Sequence, residues 1–151
     1  MSWADRWMEM ATLVSTWSKD ESRKTGAVIV GPREALISIG WNGFPRRIDD
    51  NVQERKDRPE PKYKWTEHAE RNAIYVASLG TSTLGSTMYL SWYPCADCAR
   101  AIIQAGIGRL VCLEPNWKDK VWEEDFAIVK TMLWEAHIDV VFHGRYEEEP
   151  K

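Results

Sequence analysis

Two short clusters carry the chemistry of this chain. His68-Ala69-Glu70 supplies an imidazole and a carboxylate, and Pro94-Cys95-Ala96-Asp97-Cys98 supplies two thiols. Imidazole and thiolate together suit a zinc ion. Structural zinc is closed by four protein ligands, whereas catalytic zinc has three and leaves one position for water. His68, Cys95 and Cys98 make three, and Glu70 is left over. Zinc brings the pKa of a bound water down to about 7, and a nearby carboxylate that does not touch the metal can then relay protons. The expectation is one catalytic zinc per chain with Glu70 as general acid/base.

Each cluster falls where a loop or strand runs into a helix: His68 opens one helix, and Cys95 and Cys98 open the next. Helix N-termini present unpaired N–H groups and partial positive charge, which favours thiolate over thiol. Cys95 and Cys98, three apart, share one face of a first turn. Pro94 suits a place where a missing N–H is harmless. Asp97 is expected to serve the helix N-terminus. The competing interpretations are a thioredoxin-like redox pair, which leaves His68 and Glu70 idle, and a non-catalytic zinc-binding regulator, which gives Glu70 no task. Trp92 and Tyr93 adjoin the metal turn; each is either a wall for a flat ring or plain core packing. Cys112, in an apolar strand, reads as core, and His137 and His143 as ordinary surface histidines.

The rest of the chain must position these groups. Trp3, Trp7, Met10, Val14 and Trp17 recur at helical spacing and predict an N-terminal helix capped by Ser2. Gly26–Val30 and Ala35–Gly40 predict a hairpin across Gly31-Pro32-Arg33-Glu34. From 44 to 66, prolines and charges without periodicity predict a long surface insertion without regular structure. Helices follow over Glu67–Ser78, Cys95–Ala105 and around Trp122–Leu133, alternating with strands at Thr87–Ser91, Leu110–Leu113 and Ile138–Phe142. The tail, 146–151, is expected to fray. The nine tryptophans are read mainly as packing residues. A hairpin followed by strand–helix–strand–helix–strand predicts one α/β domain over 1–151. Its mixed five-stranded sheet holds the hairpin plus parallel strands, with helices on both faces as a three-layer α/β/α fold.

Composition sets outer bounds. The 151 residues are 44% hydrophobic, enough for one real core, and the net charge is −3. That charge disfavours a polynucleotide partner, whereas a small anion needs only a local basic pocket. Neither an export signal nor a membrane-length apolar run is visible, so reduced cysteines in a cytoplasm are expected.

Beyond the metal pattern, the chain resembles deoxycytidylate (dCMP) deaminases of the cytidine-deaminase-like superfamily along nearly its whole length. The resemblance runs through Ser22-Arg23-Lys24-Thr25-Gly26-Ala27-Val28, Ile39-Gly40-Trp41-Asn42-Gly43-Phe44-Pro45, His68-Ala69-Glu70-Arg71-Asn72-Ala73-Ile74 and Pro94–Ile107. It implies hydrolysis of dCMP to dUMP and ammonia for thymidylate synthesis, in a homohexamer switched on by dCTP and off by dTTP, with Mg2+ accompanying the nucleotide effector. It implies substrate or effector contacts at Asn42 and Gly43, and by extension at Lys24, Arg46 and Arg47. A plain tight turn is the other reading of Asn42-Gly43. Another amino-heterocycle, such as a free nucleoside, a tRNA base or a pterin-like ring, remains an alternative substrate. Where the family usually carries a glycine two residues after Pro45, this chain has Arg47.

Overall fold

The computed structural model describes residues 1–57 and 60–147. A five-stranded sheet runs in the order β2-β1-β3-β4-β5, formed by β1 (Gly26–Gly31), β2 (Ala35–Trp41), β3 (Thr87–Leu90), β4 (Arg109–Glu114) and β5 (Asp139–Arg145). β1 is antiparallel to both β2 and β3, while β3, β4 and β5 are parallel. The hairpin-plus-parallel arrangement expected from the sequence is present. The period-2 alternation of β1 explains the layering. Ala27 and Ile29 point into a core with α3 (Ala69–Ala77), α4 (Ala96–Gln104) and α5 (Glu123–Glu135). Val28 and Val30 point to the opposite face, onto Trp7, Met8 and Ala11 of α1 (Trp3–Ser15).

α1 begins with a capping box: Ser2 Oγ accepts from the Asp5 N–H, and the Asp5 carboxylate accepts from the Ser2 N–H. Its buried face is Trp7, Met8, Ala11 and Val14, not the larger stripe the spacing suggests; Trp3 and Trp17 are about half exposed. The reason is close approach. A Cβ on Gly26 would lie 2.0 Å from the Ala11 carbonyl oxygen, so the helix meets the sheet through its smallest residues. The tryptophan expectation fails more widely. Trp3, Trp17, Trp41, Trp65 and Trp134 are exposed, and Trp7 alone is buried.

Three further elements depart from expectation. The 44–66 insertion is not structureless: it holds a 3₁₀ turn at Gln53–Arg55 and a short helix, α2 (Glu60–Trp65). Tertiary contacts hold it, with the Arg55 guanidinium over the Trp65 ring at 4.3 Å and Lys62 paired to Asp20 at 3.0 Å; Arg58 and Pro59 lie outside the described residues. Glu67 is not helical but bridges Gly43, each donating its N–H to the other's carbonyl. At the C-terminus, Tyr146 does not fray. Its N–H donates to the Glu114 carbonyl at 3.0 Å and its ring meets Trp92 edge-on at 4.0 Å. Residues 148–151 of the expected tail lie outside the described residues. No helix among the described residues is long and apolar enough to cross a membrane.

Candidate metal centre and catalytic pocket

The N-cap of α3 is His68 and the N-cap of α4 is Cys95, and neither uses its side chain to cap. Both side chains face each other instead. His68 Nδ1 stands 3.5 Å from Cys95 Sγ and 3.3 Å from Cys98 Sγ. Tetrahedral zinc bound at ordinary Zn–S and Zn–N lengths requires an S···N separation of about 3.6 Å. The donor atoms of these three residues lie within 4.8 Å of one another, and no fourth donor among the described residues joins the group. Donor chemistry and spacing both fit zinc.

Two elements fix this geometry. The Gly40 backbone in β2 lets α3 come so close that a Cβ there would lie 2.4 Å from the Ala69 carbonyl oxygen. Asp125, from the first turn of α5, accepts the Ala96 N–H at 3.0 Å and so seats the start of α4. Asp97, expected to serve this terminus, pairs with Arg100 in the first turn. Arg71 completes the surroundings: its guanidinium reaches Cys98 Sγ at 3.6 Å and Glu67 Oε1 at 2.5 Å, and the same Glu67 oxygen accepts the His68 N–H at 2.9 Å. Sequence reasoning did not point to Glu67, Arg71 or Asp125. Arg71 had a signal, lying three residues after His68 on the same helical face.

Glu70 is 4% exposed, and burial raises its carboxyl above the ordinary range. A raised value suits a group that must both take and give protons. The hydrogen bond from the Cys98 thiol brings Cys95 down to about 4. Cys98 is pushed up by the same contact with Cys95 and by burial. His68 is raised, first by its hydrogen bond with Cys95.

A cavity of about 340 Å³ opens over this centre and is lined by His68, Glu70, Cys95, Trp92, Tyr93 and Arg23, among others. It is large enough for a small molecule. Trp92 and Tyr93 are thus both wall and packing: Tyr93 is 2% exposed among Trp117, Phe126 and Phe142, and Trp92 is half-buried. Asn42 lines the cavity, yet its amide is engaged. Oδ1 accepts the Thr25 N–H at 2.8 Å, and Nδ2 donates to the Arg23 carbonyl at 2.8 Å. Gly43 lines a neighbouring cavity of about 360 Å³ with Lys19 and Lys56; the two cavities share Asp20, Ser22, Asn42, Lys62 and Thr66. Lys24, Arg46 and Arg47 are exposed and line neither cavity. Arg47 has φ 69°, the left-handed region that a glycine adopts more easily. Arg23, next to the residue chosen from sequence, is the one that turns inward.

Residues 1–114 match the family described as the cytidine and deoxycytidylate deaminase zinc-binding region. A deoxycytidylate deaminase of Homo sapiens is 33% identical over 138 residues, covering 89% of this chain and 75% of that protein. The chain belongs to the cytidine and deoxycytidylate deaminase family. An uncharacterized deaminase of Aliivibrio fischeri, from the luxG 3' region, is 37% identical over 142 residues, covering 93% of this chain and 92% of that protein. A dCMP deaminase of the cyanophage S-TIM5, solved with dCMP and dUMP, shares the fold with a TM-score of 0.74 at 23% identity; 92% of this chain and 95% of that one are covered. The protein is a deaminase of α/β cytidine-deaminase-like fold, and it carries in His68, Cys95 and Cys98 a donor group that fits the family's zinc.

Proposed function

We propose that this deaminase hydrolyses dCMP to dUMP and ammonia, using zinc held by His68, Cys95 and Cys98. The observation that carries the reading is Glu70, a buried carboxylate lining the same cavity as His68 and Cys95 but outside the three-donor group. Zinc, when bound, supplies the Lewis acidity that makes water acidic enough to attack at neutral pH. Glu70 takes a proton from that water and delivers it to the ring nitrogen. It then takes the remaining proton and hands it to the departing amine, which leaves as ammonia. Trp92 and Tyr93 wall the cavity where a flat base can lie, and Tyr146 braces Trp92 edge-on. The human relative is a deoxycytidylate deaminase and the cyanophage enzyme was solved with dCMP and dUMP, which supports dCMP as substrate.

Control by dCTP and dTTP, with Mg2+ accompanying the effector, and assembly as a homohexamer in the cytoplasm extend the same reading. The neighbouring cavity, bounded by Gly43, adjoins the substrate cavity and carries Lys56, while its other lysines, Lys19 and Lys62, are paired with Asp50 and Asp20. The dUMP formed would feed thymidylate synthesis.

Glu70→Gln tests the chemistry. Ammonia release from dCMP is expected to fall by at least about 100-fold, the lower end of a general acid/base contribution, while bound zinc stays at wild-type stoichiometry. Undiminished ammonia release from the variant removes Glu70 from the reaction. A wild-type protein that binds zinc and nucleotide yet releases no ammonia from dCMP, with or without dCTP, overturns the assignment.

A further inference from the structure

Two cationic side chains, Arg23 and Lys62, line the catalytic cavity, and they differ in what they pair with. Lys62 is neutralised: its ammonium meets Asp20 at 3.0 Å and also the Ser22 hydroxyl, with both members of the ion pair largely buried. Arg23 pairs with no carboxylate among the described residues. Its guanidinium lies over the Trp92 ring, 3.5 Å from the centroid, and 5.2 Å from that of Tyr146.

That placement leaves specific capacity. Stacking occupies the faces of a guanidinium, whereas its N–H donors lie in the plane, at the edge. The edge is the part that grips a phosphate through two parallel hydrogen bonds. The residue is also held from behind. Asp20 Oδ1 accepts the Arg23 backbone N–H at 3.3 Å, and Asn42 Nδ2 donates to its carbonyl at 2.8 Å. Trp92, the platform, is itself braced by Tyr146 at 4.0 Å and Phe126 at 6.4 Å. A cation fixed in this way loses little freedom when an anion arrives, which is the condition for strong recognition. Trp92 adjoins the Pro94-Cys95 turn, so the same wall connects the base-processing centre to the cation.

We propose that Arg23 recognises the phosphate of the substrate and so makes the cavity select a nucleoside monophosphate over the free nucleoside. The inference rests on the dCMP reading and adds the residue that enforces it. Asn42 and Asp20 then act as positioning residues, through the Arg23 backbone. Lys24, Arg46 and Arg47 line neither cavity.

The test uses the zinc-loaded protein and compares ammonia release from dCMP and from deoxycytidine. R23Q keeps a planar group but loses the charge and the fork. Its kcat/KM on dCMP is expected to fall by about 10- to 100-fold, mainly through KM, the range for a hydrogen bond to a charged group. Its kcat/KM on deoxycytidine, which has no phosphate to lose, falls less, so the dCMP-to-deoxycytidine ratio drops. R23K, which keeps the charge without the fork, recovers part of the dCMP preference and tests the same claim independently should R23Q not fold. Parallel losses on both substrates mean that Arg23 only braces Trp92, and an unchanged dCMP-to-deoxycytidine ratio in the variants means it does not touch the phosphate. Either result overturns the inference while leaving a dCMP-active wild type, and so the proposed function, intact. A wild type inactive on dCMP removes both.

Discussion

Replacing Gly40 with Ala should disable the enzyme from the far side of its own helix. A Cβ at this position in β2 would lie 2.4 Å from the Ala69 carbonyl oxygen, 2.4 Å from the Ala73 nitrogen and 3.0 Å from the Ala73 Cα. All three are backbone atoms of α3, so no side chain can turn aside. Ordinary contact begins at 3.4 Å, so α3 must retreat by about 1 Å. His68 caps that helix and Glu70 lies in its first turn, so both move with it while Cys95 and Cys98 stay on α4. A misplacement of about 1 Å in a catalytic group costs on the order of 100-fold in rate. Overpacking itself costs about 1–3 kcal/mol, or roughly 3–10 °C in Tm for a chain of this size. Thermal melting, ammonia release and bound zinc are measured on the same preparation. Gly80→Ala is the control, because a Cβ there meets open space; it should leave all three readings unchanged. A Gly40→Ala protein with wild-type Tm and turnover would refute the claim that the β2–α3 approach sets the metal centre.

Two other predictions concern the surroundings of the site. Burial would raise the Asp20 carboxyl, but hydrogen bonds from Ser22 and the charge of Lys62 outweigh it, and its net value is lowered below 3.8. A carboxyl depressed by folding contributes stability above its unfolded pKa and loses that contribution as pH falls through the folded one. The tie between the insertion and the segment before β1 should therefore hold at pH 5 and release only well below 3.8, seen as faster hydrogen exchange in α2. In Asp20→Asn this acid-induced release should vanish; an unchanged pH profile in the variant would show that another group controls it. Arg71→Met removes the N–H facing Cys98 Sγ, and zinc affinity measured by chelator competition should drop by about 10- to 100-fold. Undiminished affinity would confine Arg71 to its ion pair with Glu67.

The three-donor group and Glu70 were legible in the sequence because their chemistry depends on local spacing. A Cys-x-x-Cys turn and a His-x-Glu helix start each carry their geometry within four residues, and the structure sets His68 and Cys95 at the caps of α3 and α4. The sheet was legible for the same kind of reason, since a short apolar run bounded by turn residues is written within β1 itself. The cation that lines the cavity over Trp92 was not. Arg23 and Lys24 are adjacent and chemically alike, and only the packing of Trp92 against Tyr146, 54 positions further on, decides that Arg23 faces the cavity. The insertion misled in a similar way. Its helix α2 lacks local periodicity and is held by partners such as Asp20 that no window of sequence includes.

What the chain determined by itself is therefore everything encoded over a turn or a strand: the metal-type donors, the carboxylate beside them, the order of strands and helices. Only the tertiary structure decided which cavity charges are neutralised, that Asp125 seats α4, and that a glycine in β2 sets how near α3 can come. Those outcomes depend on groups brought together from distant parts of the sequence. Their distances are set by how the layers pack, and the identity of any one residue does not carry them.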